Sequence, residues 1–366
     1  MNINYILYIL LLFGQLKICV NSFNLNFYNP STKINYSNKI DKLHKIVTDK
    51  KINKIEQLSI KDKNEIQKFS LLSKLIYEYD FHNINNIKDV NNKNNYVLDI
   101  SSNQKTNLTF DFINNHNIYF NLEQYVSFLH DNNFAEKTKE YFNILNNKIP
   151  NSQIYGYFCK NRLHSLILIN HEFEEIVVVF RGSQYNDEWI YNFYINEKNL
   201  DFNKNYSIHN GIYTMYAYNN IDKNIVYILK NLYEYFPNYR KIITGHSKGA
   251  ISSILLSFEL LNTINKNYNY EIYSFGNPPL FNYKLADMLH HHPNLKIFNV
   301  MNKYDIIASI PFPFHYQIGD EIILDGKNTQ IIHHPTPYKI SFFDTVLNFY
   351  NSIAQHDMDI YVKNIN

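Results

Sequence analysis

The stretch Gly245-His246-Ser247-Lys248-Gly249 sets a serine between two glycines, after the run Lys241 to Thr244 and before a helical run that begins at Ala250. In a tight strand-to-helix turn such a serine projects from the carboxyl end of a sheet. The glycines remove side chains that would strike the neighbouring strand and helix, and the amino end of the helix faces the developing negative charge. The bare pattern is common by chance. This chain has only 9 Gly, however, and two of them fall at this strand–helix junction. Ser247 is therefore the candidate nucleophile, and the chemistry is acyl transfer through a covalent acyl-serine.

That chemistry needs three further groups. The tetrahedral intermediate carries charge on oxygen, usually held by two backbone N–H groups, one from the residue after the nucleophile and one from a distant loop. Lys248 supplies the first. Phe180-Arg181-Gly182-Ser183 follows the apolar strand Ile176 to Val179 and makes Ser183 the second. The acid belongs after a strand downstream of the serine. Asp305 follows the strand Ile297 to Val300 and is preferred over Asp287, which sits in a predicted helix, and Asp320, which lies beyond a Pro-rich turn. The base must come later still. His315, His333, His334 and His356 all qualify, and position near the C-terminus favours His356.

Elements able to carry these residues are legible from periodicity. After Pro150, strand-length apolar runs at 154–159, 166–169, 176–180, 242–244, 270–275 and 296–300 are interspersed with helical patterns at 215–235, 250–261 and 283–290. The alternation predicts βαβ units and a mainly parallel central sheet flanked by helices, the α/β-hydrolase architecture that the serine turn requires. Upstream, helical spacing runs from Ile55 to Tyr79 and again from Tyr119 to Leu145, while 21–54 and 83–95 are polar and Asn-rich. The expected organisation is a leader over 1–22, an N-terminal helical and irregular extension over 23–150, and a hydrolase core over 151–366.

Composition narrows the class. With 45% hydrophobic and 19% charged residues, a sizeable core is possible. A formal net charge of +2 and the lack of a basic stripe argue against nucleic-acid binding. No G-x-G-x-x-G is present, which disfavours a dinucleotide fold. The adjacent histidines His290-His291-His292 and His333-His334 suit a shared metal poorly and have no nearby Cys, so no metal and no cofactor are expected. The apolar run Tyr5 to Phe13 is too short to span a bilayer and fits a secretory signal, with a small-residue cleavage site after Ser22. No Lys or Arg precedes the run, so an uncleaved membrane anchor or a buried helix stays open. With the leader removed, Cys159 would stand without Cys19 and no intramolecular disulfide could form. Sequons at Asn35, Asn107 and Asn205 are compatible with secretion.

Taken together, these stretches resemble the class 3 lipases, the fungal triacylglycerol lipase type of α/β-hydrolase. Phe180 to Ser183 looks like the oxyanion segment, Ile208-His209-Asn210-Gly211 like V-H-x-G, and Gly245 to Ala250 like G-H-S-L-G-G. Tyr273 to Pro278 looks like T-F-G-x-P, Asp305 with Ile310-Pro311 like the acid segment, and His356-x-Met358-x-x-Tyr361 like H-x-M-x-x-Y. The resemblance implies His356 as base and a lipid ester substrate at a lipid–water interface. It also implies an amphipathic lid directly after the oxyanion residue, where Glu188 to Asn196 carries Trp189, Ile190 and Phe193. Trp189 is equally compatible with ordinary core. Lys248 replaces the family's Leu, Ala250 its second Gly, and Ile307-Ala308 its Val-Pro. A phospholipase A1, a soluble esterase and a catalytically weak lipid-surface binder are the alternatives; protein partners are not indicated.

Overall fold

The computed structural model describes residues 54–78, 120–121, 147–149, 152–160, 163–183, 197–200, 203–217, 221–264, 268–309, 315–325, 329–338 and 354–365. All of them fall in one compact unit, Asn53–Asn366. In chain order the strands are β1 (Lys54–Gln57), β2 (Phe120–Asn121), β3 (Ser152–Lys160), β4 (Leu163–Asn170), β5 (Glu175–Phe180), β6 (Glu197–Leu200), β7 (Asn203–His209), β8 (Arg240–His246), β9 (Tyr270–Phe275), β10 (Phe281–Asn282), β11 (Leu295–Asn302), β12 (His315–Tyr316), β13 (Asp320–Leu324) and β14 (Gln330–His333). The helices are α1 (Ile60–Glu78), α2 (Asn210–Tyr216), α3 (Ile221–Tyr235), α4 (Lys248–Thr263), α5 (Tyr283–His290), α6 (Ile306–Ser309) and α7 (Met358–Ile365).

Ten strands form the main sheet in the order β1-β14-β13-β11-β9-β8-β5-β4-β3-β2. Its five central strands, β13, β11, β9, β8 and β5, run parallel, and both edges are antiparallel. A smaller antiparallel sheet has the order β12-β10-β7-β6. The sequence Glu-Ile-Val-Val-Val-Phe of β5 is buried throughout, as a strand covered on both faces must be. Alternate residues feed separate cores. Ile176, Val178 and Phe180 meet Ile225, Leu229, Ile251 and Leu285 from α3, α4 and α5. Val177 and Val179 meet Phe69, Leu72 and Ile76 of α1 and Tyr361 and Val362 of α7. The domain is thus a helix–sheet–helix sandwich, with the two segments most distant in sequence, α1 and α7, sharing one face.

A cluster of charges fastens α1 to the amino ends of the parallel strands. Lys68 Nζ donates to both carboxylate oxygens of Glu175 at 2.9 and 3.1 Å and to Glu65 at 2.9 Å. Arg240 bonds Glu175, Glu65 and Glu271. Further along the helix, the hydroxyls of Ser73 and Thr244 lie 3.1 Å apart, and Phe69 packs on Tyr273 with ring centroids 4.3 Å apart.

Several elements differ from their expected bounds. The helix expected from Ile55 starts at Ile60, because Ser59 caps it: Ser59 Oγ accepts the N–H of Asp62 at 3.1 Å, leaving Ile55 in edge strand β1. The single helix expected over 215–235 is two, α2 and α3, since α2 already closes at Ala217, whose N–H bonds Tyr213 O. Of the helix expected over 119–145, only Phe120 and Asn121 are described, and they pair with β3. The leader, residues 23–53 of the polar stretch, and the sequons at Asn35 and Asn107 lie outside the described residues. No described helix is long and apolar enough to cross a membrane.

Lys68 and Glu175 are both buried, and removing one charge strands the other in the interior. Glu175→Ala is therefore expected to destabilise the fold by about 3–5 kcal/mol in urea unfolding; a change below about 1 kcal/mol, typical of an exposed pair, would contradict that role.

Candidate active site

The main sheet delivers two chain segments side by side. Phe180, the last residue of β5, pairs in parallel register with Gly245 of β8, so residues 181–183 and 246–248 leave the sheet as neighbours. At the second exit the chain turns sharply into α4. Ser247 has φ 56° and ψ −121°, in the left-handed region that a side-chain-bearing residue adopts only under constraint. Its N–H is held by Phe275 O at 2.8 Å, and its carbonyl accepts the N–H of Ala250 at 3.0 Å. The flanking glycines answer to close packing. A Cβ on Gly249 would come within 2.3 Å of Phe180 O, and one on Gly245 within 2.5 Å of the Gly249 backbone. Helix α4 can cross β5 at this distance only without those side chains.

Asp305 lies between β11 and α6 and is completely buried. Its Oδ1 accepts the backbone N–H groups of Ile307 and Ala308 at 2.9 and 3.1 Å, closing the first turn of α6. Its Oδ2 accepts the Tyr361 hydroxyl at 2.6 Å and faces His356 Nδ1 at 2.8 Å. Burial alone would raise the carboxyl's pKa; the charge of His356 and the hydrogen bonds from His356, Tyr361 and Ala308 outweigh it and hold the group below the ordinary carboxylate value. Tyr361 is pushed well above the usual phenol value by burial and by Asp305, so it remains a donor.

His356 ends a short 3-10 turn, Ala354–His356, just ahead of α7. Its Nε2 is 2.9 Å from Ser247 Oγ. The turn is tied to the end of β11 by Asn302, whose amide donates to Gln355 O at 2.6 Å and accepts from Asn364 at 2.9 Å. Gly276, with φ 58°, lets the end of β9 pass under the pair, since a Cβ there would sit 3.1 Å from Asp305 Oδ2 and from the His356 ring. The structure thus brings Ser247, His356 and Asp305 into one hydrogen-bonded chain. In that order a carboxylate can orient an imidazole, and the imidazole can take a proton from a hydroxyl.

The other residues of the sequence reading fall into place around this chain. Ser183 is half-buried at the exit from β5, and Lys248 opens α4 with its side chain buried. The Lys248 N–H belongs to the first turn of the helix, where backbone donors have no intrahelical partner. The competing acids and bases are engaged elsewhere. Asp287 pairs with His291, Asp320 with His333, Glu321 with His334, and His315 lies 3.7 Å from Glu197. His290 bonds His334 O and the Gly319 N–H. No group of three metal-binding side chains occurs among the described residues. Trp189, Ile190 and Phe193, with the whole lid segment 188–196, lie outside the described residues.

Sequence reasoning passed over His246 and Tyr77. His246 is buried beneath His356, with ring centroids 4.7 Å apart and planes tilted by 39°. Burial first, and then the charge His356 would carry, push its pKa well below the usual imidazole value, so it stays neutral. Two imidazolium charges at that separation would repel by roughly 3–4 kcal/mol at an effective dielectric near 20. Tyr77 of α1 shares a 2.7 Å hydrogen bond with His246 Nδ1. In the sequence it was visible only as a residue inside the helical run from Ile55 to Tyr79.

Comparison with known proteins bears on the fold and the family. Residues 177–315 match the family model of the lipases of class 3, a stretch that holds Ser183, Ser247 and Asp305 but ends before His356. The fold is similar to that of lipase II from Rhizopus niveus, at TM-score 0.59 and 16% identity, covering 83% of this chain and 96% of that one. Rhizomucor miehei triacylglyceride lipase is similar at TM-score 0.59 and 14% identity, with the same coverage of 83% and 96%. So is a triacylglycerol lipase whose catalytic centre is formed by a serine protease triad, at TM-score 0.59, 14% identity and coverage of 83% and 96%. The fold is that of an α/β-hydrolase, and the family match supports a lipase-type ester hydrolase.

Because the Asp305 carboxyl sits below its ordinary value in the folded chain, its stabilising contribution is complete above the ordinary 3.8 and is lost as pH falls through the folded value. Urea unfolding followed from about pH 7 down to about pH 2 should show wild type losing stability below about pH 4, and Asp305→Asn losing less over the same window. Parallel profiles would remove Asp305 from the acid response.

Proposed function

We propose that the chain is a secreted serine ester hydrolase that cleaves acylglycerol esters at a lipid–water interface, with Ser247 as nucleophile, His356 as base and Asp305 as the orienting acid. The observation that carries this reading is the continuous chain Ser247 Oγ–His356 Nε2, 2.9 Å, and His356 Nδ1–Asp305 Oδ2, 2.8 Å, set on a left-handed serine at the carboxyl end of a parallel sheet. His356 takes the Ser247 proton as the oxygen attacks the ester carbonyl. The N–H groups of Ser183 and Lys248 hold the oxyanion, and each such donor is worth on the order of 10²–10³ in rate. His356 then protonates the leaving alcohol, and water activated by the same imidazole hydrolyses the acyl-serine. Asp305 keeps the imidazole in the Nδ1–H tautomer throughout.

In the same reading, residues 151–366 are the hydrolase core, and the extension over 23–150 contributes α1 to its back face. Trp189, Ile190 and Phe193 of segment 188–196 would supply apolar surface to a lipid interface, with apolar burial contributing at roughly 25 cal/mol per Å². The leader ending at Ser22 directs secretion.

A fluorophosphonate probe should label Ser247 covalently, and Ser247→Ala should abolish both labelling and turnover while leaving the unfolding midpoint unchanged. Turnover surviving in Ser247→Ala would assign the reaction to another residue. Folded wild type left unlabelled in both detergent and lipid would favour a binding protein that keeps the fold. Matched short esters, long triglycerides and phospholipids then separate esterase, lipase and phospholipase A1, and the proposal expects the triglycerides to be cleaved fastest. Expressed with its leader in a eukaryotic host, the chain should appear in the medium with Phe23 as its first residue; material recovered with Met1 intact would exclude a cleaved signal.

A further inference from the structure

Tyr77 lies on α1, outside the residues that match the lipase family, yet its hydroxyl touches the site at two places. It shares the 2.7 Å hydrogen bond with His246 Nδ1, and it stands so close to Gly182 that a Cβ there would meet it at 2.0 Å. Gly182 immediately precedes Ser183. The ring of His246 lies against His356 at 4.7 Å and against Tyr361 at 5.6 Å. A single phenol therefore backs both the imidazole beneath the base and the backbone that carries the oxyanion residue. We infer that Tyr77 is a positioning residue of the reaction, acting through His246 on His356 and through Gly182 on Ser183. This inference rests on the ester-hydrolase reading.

The support of the phenol is firm. Helix α1 is pinned at its middle by the Lys68–Glu175 pair and, nearer the site, by the Ser73–Thr244 hydroxyl contact. The same face is shared with α7, where Lys74 Nζ meets Asp359 Oδ1 at 3.2 Å one residue beyond Met358. Tyr77 is thus fixed relative to the sheet and to the segment that carries His356. The His246 ring between them is neutral, so it can hold the base in place without opposing the positive charge that forms there. A base displaced by a fraction of an ångström loses its line to Ser247 Oγ, whereas the binding of a small ester is unaffected.

The test is a double-mutant cycle on a soluble p-nitrophenyl butyrate assay, with unfolding midpoints and the rate of fluorophosphonate labelling measured alongside. Tyr77→Phe keeps the ring and removes the hydroxyl; His246→Phe keeps a ring beneath His356 and removes the nitrogen. Each should lower kcat and the labelling rate about tenfold with KM within about twofold of wild type. The double variant should also lose about tenfold rather than about a hundredfold, because each single change already breaks the same contact. If either single variant fails to fold, the other still reads the contact through its kcat–KM split. An active wild type whose single variants keep kcat within about twofold, or raise KM alone, or whose losses multiply in the double variant, overturns the inference and leaves the hydrolase reading standing. A wild type that neither turns over nor labels overturns the hydrolase reading and this inference with it.

Discussion

The carboxylate of Asp305 is the constraint around which the candidate site is organised. A bare charge taken fully out of water is prohibitively costly, so it survives only with every lone pair answered. Here the answers come from separate parts of the chain: two backbone N–H groups of α6, the Tyr361 hydroxyl of α7 and the His356 ring ahead of α7. Satisfying one charge thus forces the C-terminal segment to dock at the end of β11, and Asn302 fastens it there. His356 is placed by the same requirement, since it is one of the donors. What a reaction would use and what folding needs are the same set of hydrogen bonds.

The serine is held by a different kind of force. Nothing binds Ser247 into its left-handed conformation by attraction alone. The close crossing of α4 over β5 leaves room for no other path, and Gly245 and Gly249 make that crossing possible. The fixed end of the site is therefore the sheet, with its parallel register of Phe180 against Gly245. The docked end is the C-terminal turn. Their meeting point is the 2.9 Å contact between Ser247 and His356.

How much of this was legible in the sequence depended on the range of the interaction. Ser247 and its glycines were legible because a tight turn is a local event, written in adjacent residues. Strand β5 was legible because burial on both faces demands an apolar run, and β8, β9 and β11 as short, mostly apolar stretches between helical patterns. Asp305 stood out by its place after a strand; His356 competed with three other histidines, was favoured by its place near the C-terminus, and was singled out by the Met358 and Tyr361 that follow it. His246 was visible only as a letter of the serine motif, with no role attached, and Tyr77 only as a residue inside the helical run from Ile55 to Tyr79. Their hydrogen bond joins residues 169 apart, and no local pattern encodes it. The start of α1 was misplaced for the opposite reason: apolar spacing continues past Ser59, while the cap that ends the helix is a polar, one-residue signal.

The sharing of one sheet face by α1 and α7 has a consequence for how activity would be lost. Helix α7 is eight residues long and is held by Met358, Tyr361, Val362 and Ile365 against a core that α1 also covers. Its release needs no unfolding of the sheet, because the strands pair among themselves and α4 remains packed on the far side. Yet release would take His356 away from Ser247 and strip Asp305 of two of its donors in a single step. Partial opening of this kind lies at a lower free energy than global denaturation in proteins built of separable cooperative units. Inactivation on warming would then precede melting, and the first species to appear would be a nearly native fold with Ser247 in place and His356 undocked.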